Sequence, residues 1–471
     1  MKKNLFFVAA AALALTACSS DNEVTQTAIQ QTAPQAVAFD TYTTETTRAG
    51  VEGVMNTTTL QSSGFGVFAQ YSNGSSSTDG AYSNDPDGTS HSIPVANFMW
   101  NEYIHYSAAA WTYAPLKYWP NETDNDSQSP TATSDHADKL SFFAYAPYVK
   151  ELNGIYTGKL DIDNDGTTDE YDATPAISAS GIKSAMAGGI EAVIANNAYG
   201  NDPWVRYSVA TKPSKSVDLL WGVAPAGGLS YTDVTGGTTT VLQGKPLVDL
   251  IKPSKDQKIK FLFQHALARI GMTVVAAVDQ ISAGGNLNDQ TKIAVKSVSV
   301  SEVTATPVLF TSGALNLKND NAFEAKWSNT SGAFSGFSVS NAVGGELNPD
   351  IAYKANASTT WNQTGTWKGV TIEERQVIAN SKYFMVIPTH QNADLQVTIT
   401  YDVITKDDKV SGGYTEVENT IKKTVTIPTL TNNKAYNLKL VLGLTSVKLD
   451  AEVADWQVDG STEVYLPQNK E

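Results

Sequence analysis

The chain has 471 residues, 41% of them hydrophobic and 17% charged, with 33 Lys and Arg against 48 Asp and Glu, for a formal net charge of −15. Such acidity repels a phosphate backbone and argues against a nucleic-acid partner. The length allows two or three domains with sizeable cores. A single cysteine leaves no intramolecular disulfide, so stability has to come from apolar burial and sheet pairing.

The first stretch carries a positive start at Lys2 and Lys3 and an apolar run from Leu5 to Leu15, too short and Ala-rich to span a bilayer permanently. Leu15-Thr16-Ala17-Cys18 follows and looks like the lipobox of bacterial lipoproteins. There, small residues admit a peptidase and the thiol takes a lipid. Residues 1–17 are therefore read as a signal peptide and Cys18 as the lipidated first residue. The other reading, a secretory signal cut near Ala17, leaves a thiol without a partner. Ser19 to Glu23 resembles the surface-export signal of Bacteroidales lipoproteins. No second long apolar run exists, so the lipid is the expected membrane anchor, at the outer membrane.

Residues 22–35 are Thr-, Gln- and Ala-rich without apolar period and read as a tether. Val37, Phe39 and Thr41 alternate with Ala38 and Asp40, a short strand pattern. Arg48 comes next, the first arginine of the chain, with Ala49 after it in a pliable Thr/Gly stretch. Such an arginine is either a site for a trypsin-like protease or a solvated loop residue.

Gly64 to Ala69 reads as an apolar strand. Phe98, Trp100, Tyr103, Tyr106, Trp111, Tyr113, Tyr118 and Trp119 form an aromatic-dense region. Rings at this density suit a carbohydrate platform or the inner faces of a β-sandwich, and the second is preferred because each ring buries a large apolar area. Leu140 to Ala146 is a strand ended by Pro147.

Between Asp161 and Asp172, the carboxylates of Asp161, Asp163, Asp165, Asp169 and Asp172 converge around a turn permitted by Gly166. Hard oxygen ligands at that spacing suit Ca²⁺. The spacing resembles the Asp-x-Asp-x-Asp-Gly loops of extracellular bacterial proteins, with Asp172 where an EF-hand has a bidentate Glu. Calcium, the one cofactor expected, is preferred over a solvated acidic turn because like charges this close need a cation.

Val217 to Gly222 reads as a buried strand. Ile259, Phe261 and Phe263 share one face ahead of His265, and the segment runs on through Ala266-Leu267-Ala268-Arg269-Ile270 as strand, short turn and strand. His265 has no carboxylate or second histidine at ligand spacing and reads as structural. Beyond Thr304, Leu315 and Leu317, Phe323 to Trp327, Tyr383 to Ile387, Leu395 to Tyr401, Thr424 to Ile427 and Tyr436 to Leu444 read as strands. Many short strands, frequent Gly, Pro and Asn turns and almost no helical period give an all-β class with two sandwiches in tandem, divided as residues 49–304 and 305–471 after a lipidated segment of 18–48.

Catalytic patterns are absent: no His-Glu-x-x-His, Gly-x-Ser-x-Gly, P-loop or dinucleotide fingerprint is present. Ser180-Gly181-Ile182-Lys183 lacks the Lys-Thr-Gly partner of penicillin-recognising enzymes. A non-enzyme is expected, although paired glycosidase carboxylates meet only in space.

Taken together, the lipobox, Thr47-Arg48-Ala49 before Phe65-Gly66-Val67-Phe68-Ala69, the block from Trp111 to Tyr118, Leu140 to Pro147, Asp218 to Gly222, Phe263 to Ile270 and Tyr436 to Trp456 resemble the fimbrillin family, lipoprotein subunits of Bacteroidales type V pili. The resemblance covers nearly the whole chain and rests on order and spacing. It implies two transthyretin-like β-sandwich domains. It also implies cleavage after Arg48, departure of the strand near Val37 to Tyr42, and filling of the groove by a neighbour's C-terminal strand. The donor expected here is Val453 to Leu466, with Trp456, Val458, Val464 and Leu466 as its apolar residues and other pilus subunits as partners, head to tail. A tip or accessory subunit, or a surface glycan-binding lipoprotein with its rings on one open face, are the alternative readings.

Overall fold

In a computed structural model, residues 35–43, 55–72, 96, 98–120, 138–148, 189–195, 203–255, 257–277, 291–303, 308–319, 323–325, 327–334, 336–352, 369–444 and 447–455 are described. From Gln35 onward the chain is one contact-connected unit. Its strands are β1 (Ala38–Thr43), β2 (Phe65–Ser72), β3 (Met99–Ser107), β4 (Ala110–Thr112), β5 (Lys139–Ala146), β6 (Gly189–Ala195), β7 (Pro203–Ser208), β8 (Leu220–Val223), β9 (Leu229–Thr232), β10 (Thr238–Val241), β11 (Leu247–Ile251) and β12 (Lys258–His265). They continue with β13 (Ala268–Ala276), β14 (Thr291–Glu302), β15 (Phe310–Asn316), β16 (Trp327–Ala333), β17 (Phe337–Ser340), β18 (Arg375–Gln376), β19 (Phe384–Val386), β20 (Ala393–Lys406), β21 (Tyr414–Ile427), β22 (Lys434–Leu442) and β23 (Val447–Asp455). The α-helix of the described residues, α1, is Thr57–Ser63. The chain is all-β.

The first sheet runs β1-β12-β8-β5-β2-β3-β4, with β11 also on β5. Its ladders are antiparallel except β1 on β12, which is parallel. A second sheet has the order β18-β13-β22-β23, with β19 also on β13; a third has β17-β14-β20-β21; a fourth has β16-β15-β7-β6. β9 and β10 form a separate hairpin.

One core lies on one side of the first sheet, contains Val37, Phe39, Phe65, Phe142, Phe261 and Phe263, and takes in Leu60 of α1 and Leu229, Tyr231 and Val241 of the β9–β10 hairpin. The other gathers Phe68, Tyr145 and Trp221 from the opposite side of that sheet together with residues of the remaining three sheets, such as Ile270, Val298, Phe337, Tyr401 and Leu440. Alternation makes this possible: Val67 and Phe68 point to opposite faces of β2 and enter different cores.

The two strands read around Ala266-Leu267 are present, but they do not pair with one another. β12 bonds to β1 and β8, whereas β13 bonds to β18, β19 and β22. The chain therefore changes sheets across two buried residues, and β13 and β14 both pair with strands from beyond residue 336. Three readings need correction. Val217 to Leu219 precede the strand, which begins at Leu220; Phe323 to Trp327 meets a strand only at Trp327; and α1 is a helix that the Thr-rich sequence conceals. Asn56 caps it, its side chain accepting from Thr59 N–H at 2.9 Å while Asn56 N–H donates to Thr59 Oγ1 at 2.7 Å. That reciprocal cap offsets a run of three threonines, which are poor helix formers.

Candidate functional site

The site begins with β1. Its residues pair with β12 in continuous parallel register from Ala38 opposite Lys258 to Thr43 opposite Phe263. β12 is its one partner within the sheet, so β1 is an outermost strand. Just before it, the chain is held from the other side. Val37 N–H donates to the Lys117 carbonyl at 2.9 Å, Trp119 N–H donates to the Gln35 carbonyl at 2.9 Å, and Ala36 bridges Tyr118. The Tyr113 hydroxyl donates to the Val37 carbonyl at 2.9 Å and accepts from Lys117 N–H at 3.2 Å. Burial pushes that phenol up to about 12, so it stays a neutral donor at physiological pH.

Val37 and Phe39 are each only 1% exposed. Phe39 sits among Tyr113 at 5.7 Å, Phe142 at 5.9 Å, Phe65 at 6.2 Å and Phe261 at 6.2 Å between ring centroids. The first three contacts are edge-to-face and the one with Phe261 is stacked, and such geometries add to the area the ring buries. Phe39 is thus the plug of an aromatic groove whose walls come from β2, β5, β12 and the Tyr113 segment. Without β1, those walls face water and the outward amides and carbonyls of β12 lose their partners.

Downstream, the chain is pinned again. Met55 N–H donates to Asp218 Oδ2 at 2.9 Å, and the same oxygen meets His265 Nδ1 at 2.8 Å. Both side chains are buried, at 0% and 1% exposure. The reading of His265 as structural holds in placement, but its carboxylate partner lies 47 residues upstream, out of reach of any local spacing. A signal existed in the strand itself: Asp218 is the one charge in the apolar run Val217 to Gly222. The segment between β1 and α1 therefore runs from an edge strand to a buried anchor.

The aromatic-dense region divides. Tyr113 and Trp119 are buried with Phe39's cluster, whereas Tyr103, Tyr106 and Tyr118 are exposed. Tyr103 lies over Gly64 and stacks on Tyr148 at 4.3 Å and His105 at 5.3 Å. A Cβ on Gly64 would meet the Tyr103 ring at 2.4 Å, so this close approach requires glycine.

Cys18, Arg48, Ala49, the calcium loop of Asp161, Asp163, Asp165, Asp169 and Asp172, and the donor residues Trp456, Val458, Val464 and Leu466 lie outside the described residues. Of the expected donor segment, Val453 belongs to β23, the outermost strand of the second sheet, paired with Tyr436 of β22. Among the described residues no cluster of three His, Cys, Asp or Glu is placed to hold a metal ion, and no helix is long and apolar enough to cross a membrane.

No family model and no curated protein matches the chain. Among solved structures, a fimbrial protein from Bacteroides vulgatus is similar at 20% identity and a TM-score of 0.54, over 90% of this chain and 100% of its own. A candidate cell adhesion protein from Bacteroides uniformis matches at 13% identity and 0.36 over 90% of this chain and 98% of its own, and a tip fimbrial protein from Porphyromonas gingivalis at 9% and 0.24 over 83% and 94%. The first shows that this all-β chain shares, along nearly its whole length, the fold of a Bacteroides fimbrial protein.

Proposed function

We propose that the chain is a structural subunit of a cell-surface pilus that serves adhesion. It is exported as a lipoprotein through Cys18, anchored in the outer membrane, cut between Arg48 and Ala49, and assembled head to tail by strand exchange. The observation that supports this most is the placement of β1: an outermost strand whose Phe39 plugs an aromatic groove, five residues before Arg48 in sequence. A strand so placed is removable by one cut, and its loss leaves main-chain donors and an apolar slot that another β-strand satisfies. Head-to-tail filling of such slots does not close on itself, so it yields a filament. The donor in this reading is Val453 to Leu466 of the next subunit. The bond from Met55 N–H to Asp218 holds the chain that remains after the cut. In this reading the sheets form two sandwiches in tandem, and the loop from Asp161 to Asp172 takes Ca²⁺ as a local clip.

Arg48→Ala should give only lipid-anchored monomer, and Cys18→Ser should leave an uncut precursor outside the lipid-labelled fraction. A chain lacking Val458 to Glu471 should accept a donor without giving one. Long polymers of that truncated chain would place the donor elsewhere, and lipid labelling of the Cys18→Ser variant would overturn the anchor.

A second reading, a glycan-binding surface lipoprotein or tip subunit, is favoured by the exposed Tyr103 ring, stacked on the half-buried rings of Tyr148 and His105. Loss of glycan binding in Tyr103→Ala, together with a parent chain that stays monomeric after verified cleavage at Arg48, would support it.

A further inference from the structure

β21 is the outermost strand of the third sheet and shares a ladder with β20 alone among the described strands; β23 lies beside it without ladder pairing, and Asn419 Nδ2 donates to the Leu444 carbonyl at 3.4 Å. The ladder spans fourteen residue pairs, from Ala393 opposite Ile427 to Lys406 opposite Tyr414, without a register shift. It contains no proline, and most of its side chains are exposed, Val417 to 58%. Native edges of this length are ordinarily shortened, bulged or covered. The edge strand β1 is six residues long, with the chain just before it held by residues 117–119, and the edges at β17 and β18 are four and two residues long.

Charge along β21 is reversed about its middle. Glu416 and Glu418 precede Asn419, and Lys422 and Lys423 follow it. Read antiparallel to itself, the strand is complementary. With Asn419 opposite Asn419, Glu416 of each copy stands opposite Lys422 of the other, and Glu418 lies diagonal to that same lysine. On the opposite face, the exposed Val417 stands opposite Ile421. Directly opposed Glu–Lys and β-branched pairs are the favourable cross-strand combinations. Inward of the edge, Lys296 Nζ lies 2.5 Å from Glu418 Oε2 and 3.5 Å from Asp402 Oδ1, one cation serving two acids that face each other across β20 and β21.

We propose that β21 pairs antiparallel with β21 of a second copy of this chain about a two-fold axis at Asn419, forming an isologous edge-to-edge contact. It uses a different strand and sheet from the groove at β1 and does not depend on cleavage. In a filament each subunit would present one such edge, so the contact would join filaments side by side, with individually weak contacts multiplied along their length.

The test uses the full chain carrying Arg48→Ala, in which the proposed strand exchange cannot begin, and sedimentation velocity over a concentration series. The parent should show a concentration-dependent monomer–dimer equilibrium. Glu416→Lys alone and Lys422→Glu alone should each weaken it roughly tenfold or more by opposing like charges. An equimolar mixture of the two variants should restore the dimer, because every Lys then faces a Glu. Restoration on mixing cannot arise from misfolding of either variant. A parent that stays monomeric to the highest soluble concentration, single variants that dimerise like the parent, or a mixture no stronger than its components would each overturn the proposal.

Discussion

β1 is six residues long, lies parallel to its one sheet neighbour and sends Phe39 into a ring cluster; β21 is fourteen residues long, lies antiparallel to its one neighbour and keeps most side chains in water. Both are sheet edges, yet they expose different things when free. Loss of β1 would uncover core, so the vacancy has a strong preference for any strand bringing a large apolar residue to the Phe39 position. β21 uncovers only a ladder and a charge pattern, so its contacts would be selective by charge and weak by area. An edge strand's chemistry, rather than its edge position, decides whether it suits permanent assembly or reversible association.

Truncation should separate the two edges most widely. Phe39→Ala removes the plug and should cost about 3–5 kcal/mol in denaturant unfolding, whereas Val417→Ala should change stability by less than about 0.5 kcal/mol. Equal losses would dissolve the contrast. Next in size is the anchor after β1. Asp218→Ala strands buried His265 and the Met55 amide and should cost about 3 kcal/mol. Hydrogen exchange should show faster opening at Met55 and α1, with β21 unaffected. Tyr113→Phe keeps the ring and deletes the hydroxyl that clasps the Val37 carbonyl, for about 1 kcal/mol.

The smallest effect sharpens the β21 side. Asp402 is buried, and burial, reinforced by Glu416, pushes its carboxyl from the ordinary 3.8 up to about 6, with Lys296 opposing. Glu418 is the other charged group there, held by Lys296. Since the folded value lies above the unfolded one, this group's contribution is complete below about pH 4 and is lost as pH rises through about 6. Stability should fall across that window by on the order of 1 kcal/mol from this group, allowing for screening by the partly exposed lysine. Asp402→Asn should flatten the slope; an unchanged slope would assign it to other groups.

Local patterns were readable where burial imposed alternation. Val37 and Phe39, the β5 run before Pro147, the face of Ile259, Phe261 and Phe263, and Leu395 to Tyr401 all announce their strands. Pairing was not readable, because nothing local in Ala38 to Thr43 specifies a parallel partner some 220 residues later. His265 and Asp218 meet for the same long-range reason. β21 escaped attention beyond Thr424 to Ile427 because Asn419 and Lys423 interrupt the alternation of Val417, Ile421, Val425 and Ile427 on its inner face, and Thr, Glu and Lys fill the outer one. Helix α1 hid behind threonines, its one strong signal being the cap at Asn56.

The most direct measurement is displacement of β1 in the purified monomer. After verified cleavage at Arg48, a synthetic peptide of residues 453–466 is added in excess, and the protein is followed by native mass spectrometry. The account predicts loss of the residue 18–48 fragment, capture of one peptide per subunit, and suppression of the polymer ladder that forms without peptide. A cleaved subunit that keeps its first strand, binds no peptide and stays monomeric would contradict it.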